Sequence, residues 1–175
     1  MTKLTVVFAV ALVLLSLTLA AVEARELVVE ADEVAGIRAS DESTDVRFLM
    51  RFEMPEKLED QSVDFVCVSF DVNCDGDKGA VSLEAFRVTT AWDASSVGWS
   101  GPWERDGGDW DADVSAEWVV PEGVAKAVYL DVTDFVNRWL KDPSSNFGII
   151  VNVSGPLSGA FSLSGPRVPQ LRILY

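Results

Sequence analysis

The sequence has no histidine, and its 175 residues include only 14 lysines and arginines against 28 aspartates and glutamates. Without an imidazole, the chain cannot build a histidine-based catalytic triad or an imidazole metal site. It also lacks a glycine-rich phosphate loop followed by lysine. The net charge of −14 argues against nucleic acid and anionic membranes as partners, because both require clustered positive charge.

The same absences bear on catalysis. A pair of carboxylates for glycoside hydrolysis is defined by a separation in space that a sequence does not give, so the many acids leave that alternative open. No other catalytic motif is present, and solubility is the ordinary role of a single acid in so acidic a chain. We therefore predict that the protein is not an enzyme.

The first 24 residues form a segment of their own. Lys3 precedes a long apolar run, and Val22 and Ala24 place small residues at the two key positions of a cleavage site. This is the pattern of a secretory signal peptide. The alternative, a retained membrane anchor, would need about 20 apolar residues. We predict a leader at residues 1–24, a secreted or cell-surface location, and one domain of ordinary size at residues 25–175.

Alternating apolar residues predict strands. The alternating members are Val66, Val68, Phe70 and Val72 in one stretch, Val81, Leu83 and Ala85 in the next, and Leu171, Ile173 and Tyr175 at the end. A further stretch, residues 147–153, is almost entirely apolar. The only helical pattern is TDFVNRWLKDP, with Thr133 as a candidate cap and Pro143 at its end. Many short strands and one short helix near residues 133–141 predict an all-β fold, an antiparallel β-sandwich.

The two cysteines, Cys67 and Cys74, leave a disulfide open. An extracytoplasmic location permits such a bond. On one extended strand, however, residues seven apart are separated by more than about 20 Å, whereas the Cα atoms of bridged cysteines come within about 7 Å. The candidate disulfide therefore requires the chain to turn back between the two cysteines.

The stretch DVNCDGD, residues 71–77, begins like a calcium-binding loop, because oxygen-bearing side chains alternate and a glycine follows. An EF-hand would need an acid at its twelfth position, where Ser82 stands, and a helix on each side. The stretch instead lies between two predicted strands, which indicates a hairpin turn. Two alternatives stay open, a solvated turn and a weak calcium site. The calcium ligands would be Asp71, Asn73, Asp75 and Asp77.

A second acidic stretch, ERDGGDWDADV, has acids at alternate positions. On an extended chain three carboxylates would point the same way, which is unfavourable without a counter-ion such as a bound cation. In a loop the same residues would simply be solvated. The candidate ligands are Asp109, Asp111 and Asp113. Calcium is thus the only cofactor that the sequence suggests.

Six tryptophans are many for this length, and four of them fall between residues 92 and 110. Five segments around them resemble, in order and spacing, the DNRLRE domain, also called carbohydrate-binding module family 96. They are LMRFEMP, FRVTTAWDASSVGW, YLDVTDFVNRWL, NFGIIV and PQLRILY, at residues 49–55, 86–99, 129–140, 146–151 and 169–175. The resemblance covers about residues 26 to 175.

This resemblance implies a β-sandwich of jelly-roll type, found in secreted and cell-surface proteins and often joined to polysaccharide-degrading enzymes. The family's pattern tryptophans correspond to Trp92, Trp99 and Trp139, which are expected to pack. The candidate carbohydrate-binding residues lie outside the motifs, at Trp103, Trp110 and Trp118. Two segments depart from the family's pattern, the compressed ADEVAGIRASDESTDVRF and the FSLSGPRVP before the last strand, so a ligand site that depends on either is expected to be absent here.

The leading hypothesis is a secreted, non-catalytic carbohydrate-binding domain whose partner is a polysaccharide or a cell-surface or matrix glycan. At a charge of −14, a neutral glycan fits better than a polyanion. The alternative is a structural surface or matrix protein that acts through protein contacts and has no glycan ligand. The candidate tryptophans discriminate between the two, because a sugar platform requires them to be exposed on one side of the sandwich.

Overall fold

Strands make up most of the regular structure. The computed structural model describes residues 25–40, 43–58, 61–74, 80–121, 126–155, 161–163 and 168–175, and the predicted leader lies outside these ranges. The strands are β1 (Glu26–Glu30), β2 (Glu33–Arg38), β3 (Val46–Arg51), β4 (Phe65–Cys74), β5 (Val81–Val88), β6 (Trp110–Val120), β7 (Lys126–Asp131), β8 (Ile149–Ser154), β9 (Phe161–Leu163) and β10 (Gln170–Leu174). One α-helix, α1, spans Thr133–Lys141, and short 3₁₀ turns lie at Glu56–Leu58 and Pro143–Ser145.

The strands form two antiparallel sheets. In the first, β1, β10, β4 and β7 lie side by side, with β9 also beside β4; in the second, the order is β2, β3, β8, β5 and β6. When β2 and β9 are left out, the remaining eight strands can be counted from one to eight along the chain. In that count, strands one, eight, three and six share one sheet, and strands two, seven, four and five share the other. This is the strand order of a jelly roll. The predicted antiparallel β-sandwich of jelly-roll type is therefore confirmed.

The core lies between the two sheets and follows the predicted alternation. Its members at most 3 % exposed include Val66, Val68, Phe70 and Val72 on β4, Val81, Leu83 and Ala85 on β5, and Leu171 and Ile173 on β10. Burying one large apolar side chain contributes about 1.5–3 kcal/mol. That gain determines which side of each strand faces inward.

The stretch 71–77 is not the turn of a β-hairpin. β4 continues through Cys74, so the first part of the stretch is strand. β4 belongs to the first sheet and β5 to the second, and the chain therefore crosses between sheets here. The hairpin prediction is wrong because alternation shows which face of a strand is buried, not which strand lies next to it.

The helix occupies the predicted residues, and its apolar stripe packs into the core. Trp139 is 1 % exposed, which confirms its packing role. Thr133 does not cap the helix: its hydroxyl oxygen accepts from the Val66 N–H at 2.8 Å and its hydroxyl donates to Asp131 at 2.6 Å. Thr133 thus ties the helix to β4. None of the helices in the described ranges has the length and hydrophobicity to span a membrane.

Candidate functional site

A long connection covers the outer side of the second sheet. Residues 89–109, which we name the covering loop, join β5 to β6. Trp92 is 5 % exposed and Trp103 9 %, so both are buried. The indole N–H of Trp92 donates to the Phe147 carbonyl at 2.7 Å, and that of Trp103 donates to the Gly98 carbonyl at 2.8 Å. With outward residues of β2, β3, β5 and β8, these tryptophans form a second hydrophobic cluster outside the main core.

Arg47, an outward residue of β3, fastens the covering loop to the sheet. Its guanidinium carbon lies 4.6 Å from the ring centroid of half-buried Trp99 and 4.7 Å from that of Trp110. Arg47 also donates a hydrogen bond to the Gly107 carbonyl, and Arg105 lies 5.5 Å from the Trp110 ring. Cation–π contacts contribute about 0.5–2 kcal/mol each. These rings are therefore engaged in holding the loop.

Asp109 closes the covering loop on itself. It is 6 % exposed and accepts hydrogen bonds from the Thr90 hydroxyl at 2.9 Å, the Glu104 N–H at 2.8 Å and the Arg105 N–H at 3.2 Å. Burial alone would raise the pKa of this carboxyl, but these donors and the charge of Arg105 together lower it below the ordinary value. The carboxylate is stabilised by protein groups.

The other acids of this stretch do not join Asp109 in a calcium cage. Asp111 pairs with Arg87 at 2.8 Å and with Arg138 at 3.3 Å, and the hydrogen bond from Arg87 is the main cause of its lowered pKa. Asp113 is exposed in the bulge that interrupts the pairing of β6 with β5. No group of three or more metal-ligating acids or cysteines occurs in the described part of the chain. The argument from spacing assumed an unbroken strand, whereas β6 has a bulge here and Asp111 is paired with two arginines. Calcium binding by Asp109, Asp111 and Asp113 stays an untested prediction.

The first calcium stretch is described only in part. Asp71 lies half-buried on β4, and Asn73 belongs to the same strand. The side chain of Asn73 and all of Asp75 and Asp77 lie outside the described residues. A calcium site at these four residues stays a prediction.

Cys67 and Cys74 both lie on β4, which is continuous between them, so the turn that their disulfide requires does not occur. Cys67 is a free thiol, 8 % exposed, whereas the side chain of Cys74 lies outside the described residues. Burial raises the pKa of the Cys67 thiol, and Arg172 opposes that shift. The candidate intrachain disulfide is therefore a wrong prediction, and Cys67 is not an activated nucleophile.

The three candidate carbohydrate-binding tryptophans do not share a surface. Trp103 is buried and Trp110 is half-buried beneath the covering loop. Trp118 is 40 % exposed, but it pairs with Leu83 of the core, whereas Trp110 pairs with Val88 of the outer cluster. Directly paired residues point the same way, so these two tryptophans lie on opposite sides of β6. The expected platform does not form, because packing of the covering loop buries two of its members.

The outer side of the first sheet has no such cover among the described residues. The outward side chains of β1, β10, β4 and β7, with Val168 just before β10, form a surface that we name the open face. Its exposed apolar members are Val28, Phe65, Tyr129 and Val168. Its polar members are Glu26, Glu30, Ser69, Asp71, Asp131, Gln170 and Arg172. The open face thus combines an exposed aromatic ring with several hydrogen-bonding groups.

Sheet register places these side chains in rows. One row consists of Tyr129, Ser69, Gln170 and Glu30, on β7, β4, β10 and β1 in that order. Neighbouring strands lie about 4.8 Å apart. Tyr129, which is 45 % exposed, therefore has the Ser69 hydroxyl one strand away and the Gln170 side-chain amide two strands away. A shallow depression is lined by Ser69, Asp71, Tyr129, Val168, Gln170 and Arg172.

The polar contacts within the open face are weak. The Gln170 amide donates to Glu30 at 3.3 Å, and Arg172 donates to Glu26 at 3.1 Å. The Ser69 hydroxyl donates to the main-chain carbonyl of Gln170 at 3.4 Å. Exposed pairs of this kind contribute about 0–1 kcal/mol. A ligand can replace them at little cost.

Tyr129, Gln170 and Arg172 lie within the DNRLRE-like segments at residues 129–140 and 169–175 and were not candidate ligands, yet alternation could have placed them. Two buried residues flank Tyr129, and buried Leu171 separates Gln170 from Arg172. An aromatic residue at an outward strand position is therefore the signal that the sequence contains.

No protein-family model matches the chain, and a search of the curated proteins finds no match either. The resemblance to the DNRLRE domain therefore rests on the five segments quoted above.

Proposed function

We propose that this protein is a non-catalytic carbohydrate-binding domain and that the open face is its binding surface. The observation that carries the proposal is the exposed ring of Tyr129 beside Ser69, Gln170 and Arg172, all on regular strands. A sheet holds such groups in fixed relative positions, so little order must be gained when a ligand binds.

The chemistry of the open face suits a sugar. A pyranose ring has an apolar side made of C–H groups and a rim of hydroxyls, and an exposed tyrosine offers a flat apolar ring with a polar end. Each sugar hydroxyl both donates and accepts hydrogen bonds. Ser69 and Gln170 can do both, Asp71 accepts and Arg172 donates, so the two sets are complementary.

The charge of the open face indicates which glycan it would bind. Among the described side chains of the open face, Glu26, Glu30, Asp71 and Asp131 oppose one base, Arg172, on a chain whose net charge is −14. An acidic polysaccharide would be repelled unless cations bridged the two. We therefore propose a neutral polysaccharide or cell-surface glycan as the ligand.

The carboxylates support a non-catalytic role. Glycoside hydrolysis needs a general acid whose pKa is raised. Among the described residues, each carboxyl whose pKa clearly departs from its ordinary value, namely Asp93, Asp109 and Asp111, is shifted downward. Hydrogen bonds to the ionised form are the main lowering influence in all three.

Export and family membership belong to the same proposal. The leader pattern at residues 1–24 supports secretion or display at the cell surface. The five DNRLRE-like segments support a relation to carbohydrate-binding module family 96. The jelly-roll fold agrees with that relation, but many unrelated functions share this fold.

One observation favours a second candidate function, a structural role in a surface layer or matrix. Val28, Phe65, Tyr129 and Val168 put four exposed apolar side chains on the open face. Apolar groups concentrated on one side of a protein often mark contacts with other proteins. Under this alternative the open face would bind a protein and no glycan.

A glycan array with the purified protein tests the proposal. The variants are Tyr129→Ala and, as a matched control, Trp118→Ala, since Tyr129 is 45 % and Trp118 40 % exposed. We expect the wild-type protein to bind neutral oligosaccharides, Tyr129→Ala to lose most of that binding because stacking is worth about 1–3 kcal/mol by analogy with other ring platforms, and Trp118→Ala to retain it.

If glycan binding were lost in Trp118→Ala but kept in Tyr129→Ala, the binding surface would lie at the edge of the second sheet instead. An array that is blank for the wild-type protein would favour the structural alternative.

A further inference from the structure

The open face carries two exposed aromatic rings that lie far apart. Tyr129 on β7 is 45 % exposed, and Phe65 on β4 is 40 % exposed. Tyr129 pairs with Ser69, which follows Phe65 by four residues on the same strand. At about 3.4 Å per residue along a strand and about 4.8 Å between strands, the Cα atoms of Tyr129 and Phe65 are about 14 Å apart. Strand side chains stand roughly perpendicular to the sheet, so a single pyranose ring is too small to cover both.

The surface between the two rings is low. Cys67 and Ser69 occupy the outward positions of β4 that follow Phe65. Cys67 is 8 % exposed and Ser69 is half-buried, and both have short side chains. A ligand can therefore pass over β4 from one ring to the other.

A hydrogen-bond acceptor and a donor flank this part of β4. Asp131 on β7 and Arg172 on β10 pair with Cys67 from its two sides, and directly paired residues point the same way. The main-chain N–H and the hydroxyl of Thr133 both donate to Oδ1 of Asp131, at 3.0 Å and 2.6 Å. Its Oδ2 makes no hydrogen bond within the described part of the chain. Asp131 can thus accept from, and Arg172 donate to, the hydroxyls of a sugar between the two rings.

The positions of the rings select a direction for the ligand. Across the strands, the row that starts at Tyr129 continues through Ser69 and Gln170 to Glu30 and contains no second ring. Along β4, the outward positions lead from Ser69 to the ring of Phe65. A ligand that contacts both rings must therefore run lengthwise along β4.

We propose that the open face binds a linear stretch of a neutral polysaccharide that lies along β4. One sugar unit stacks on Tyr129, a later unit of the same chain stacks on Phe65, and the sugar between them bonds to Asp131 and Arg172. Phe65 thus determines a preference for long ligands. This inference rests on the proposed function, and it adds a requirement on ligand length that glycan binding alone does not make.

Matched series of cello-, manno- and xylo-oligosaccharides test the proposal by isothermal titration calorimetry of the purified protein. Each series runs from the monosaccharide to chains longer than the distance between the two rings. In a series that binds, the affinity should rise about tenfold once the chain reaches both rings, by analogy with the contribution of other aromatic stacking platforms. Equal affinity for short and long members would overturn the two-ring site and leave glycan binding in place. If no member of any series bound, the proposed function would fail together with this inference.

Two substitutions of Phe65 separate its ring from its bulk. Phe65→Leu keeps an apolar side chain but removes the flat ring, so it should lower the affinity for long chains about tenfold. Its affinity for chains too short to reach both rings should stay unchanged, which also shows that the variant is folded. Phe65→Tyr keeps the ring and should bind long chains like the wild-type protein. Long-chain binding that Phe65→Leu leaves at the wild-type level would overturn the second ring.

A control on the same face tests the direction of the ligand. Val28 is 44 % exposed, but its strand, β1, lies two strands from β4. Val28→Ala should therefore keep the wild-type affinity for short and long chains. A loss of long-chain affinity in Val28→Ala as large as that in Phe65→Leu would show that the ligand spreads across the strands, which would overturn lengthwise binding.

Discussion

The two outer sides of the sandwich differ in what becomes of their aromatic residues. On the second sheet, the covering loop buries Trp92 and Trp103 and encloses Arg47 between two further rings. On the first sheet, Tyr129 and Phe65 remain 45 % and 40 % exposed. Both sheets present outward side chains by the same alternation, so the difference comes from the long connection between β5 and β6. The tryptophan-rich stretch therefore packs onto the second sheet, whereas the first sheet keeps exposed aromatic rings on its outer side.

The largest expected effect is on the stability of the covered side. Trp92→Ala should lower the free energy of unfolding by about 3–5 kcal/mol, because it removes a buried ring and its hydrogen bond to Phe147. Trp118→Ala, the exposed control, should cost about 1 kcal/mol or less. Urea titration measures both, and equal losses would erase the contrast between covered and exposed aromatic residues.

Protonation of Asp109 at low pH should lower the free energy of unfolding, because its carboxylate stabilises the covering loop. Its pKa is lowered in the folded protein, so the unfolded chain binds more protons as pH falls below about 4. The stabilisation is thus complete above the ordinary aspartate pKa and is lost as pH falls through the lowered one. Asp109→Asn should cost about 1–3 kcal/mol at neutral pH and should flatten this acid dependence.

Unfolding curves between about pH 2 and pH 7 compare Asp109→Asn with the exposed control Asp106→Asn. The control should keep the acid dependence of the wild-type protein. An unchanged slope in Asp109→Asn would show that the carboxylate does not stabilise the loop.

A smaller effect is expected from the arginine between the two rings. Arg47→Met keeps much of the side chain's length and removes its charge. Both rings are only half-buried, so each lost cation–π contact should cost about 0.5–1 kcal/mol and the two together about 1–2 kcal/mol. Arg105→Met, whose side chain is 69 % exposed and faces one ring, should cost less than half as much. Denaturant titration provides the values, and a larger loss from Arg105→Met would reverse their assigned roles.

Calcium should give the smallest change in stability, and it should do so by binding at the end of β4. If Asp71 and its neighbours bind calcium with a Kd of about 10⁻⁴–10⁻³ M, calcium at about ten times Kd adds roughly 1.4 kcal/mol. The Tm should rise by about a few degrees relative to chelator, and magnesium should do less. Asp71→Asn should abolish the rise and Asp113→Asn should preserve it. Equal shifts with both ions would indicate general screening of charge.

The contrast also shows how far the sequence predicts this molecule. Alternation identifies the buried sides of β4, β5 and β10, and the 3.6-residue period locates α1, because burial of apolar surface sets both patterns. Strand neighbours depend on contacts between distant segments, so the crossing from β4 to β5 is mistaken for a hairpin. Trp103 became a binding candidate because it is a tryptophan outside the DNRLRE-like segments, but a tryptophan serves equally well in a core and on a binding surface.

The most direct test of the open face is a map of backbone amide shifts in the isotope-labelled protein, titrated with the strongest neutral oligosaccharide from the array. Binding at the open face predicts the largest shifts at Ser69, Tyr129, Gln170 and Arg172, with little change in the covering loop. Shifts concentrated at Trp99, Trp110 or Trp118, with none on β4, β7 or β10, would contradict it.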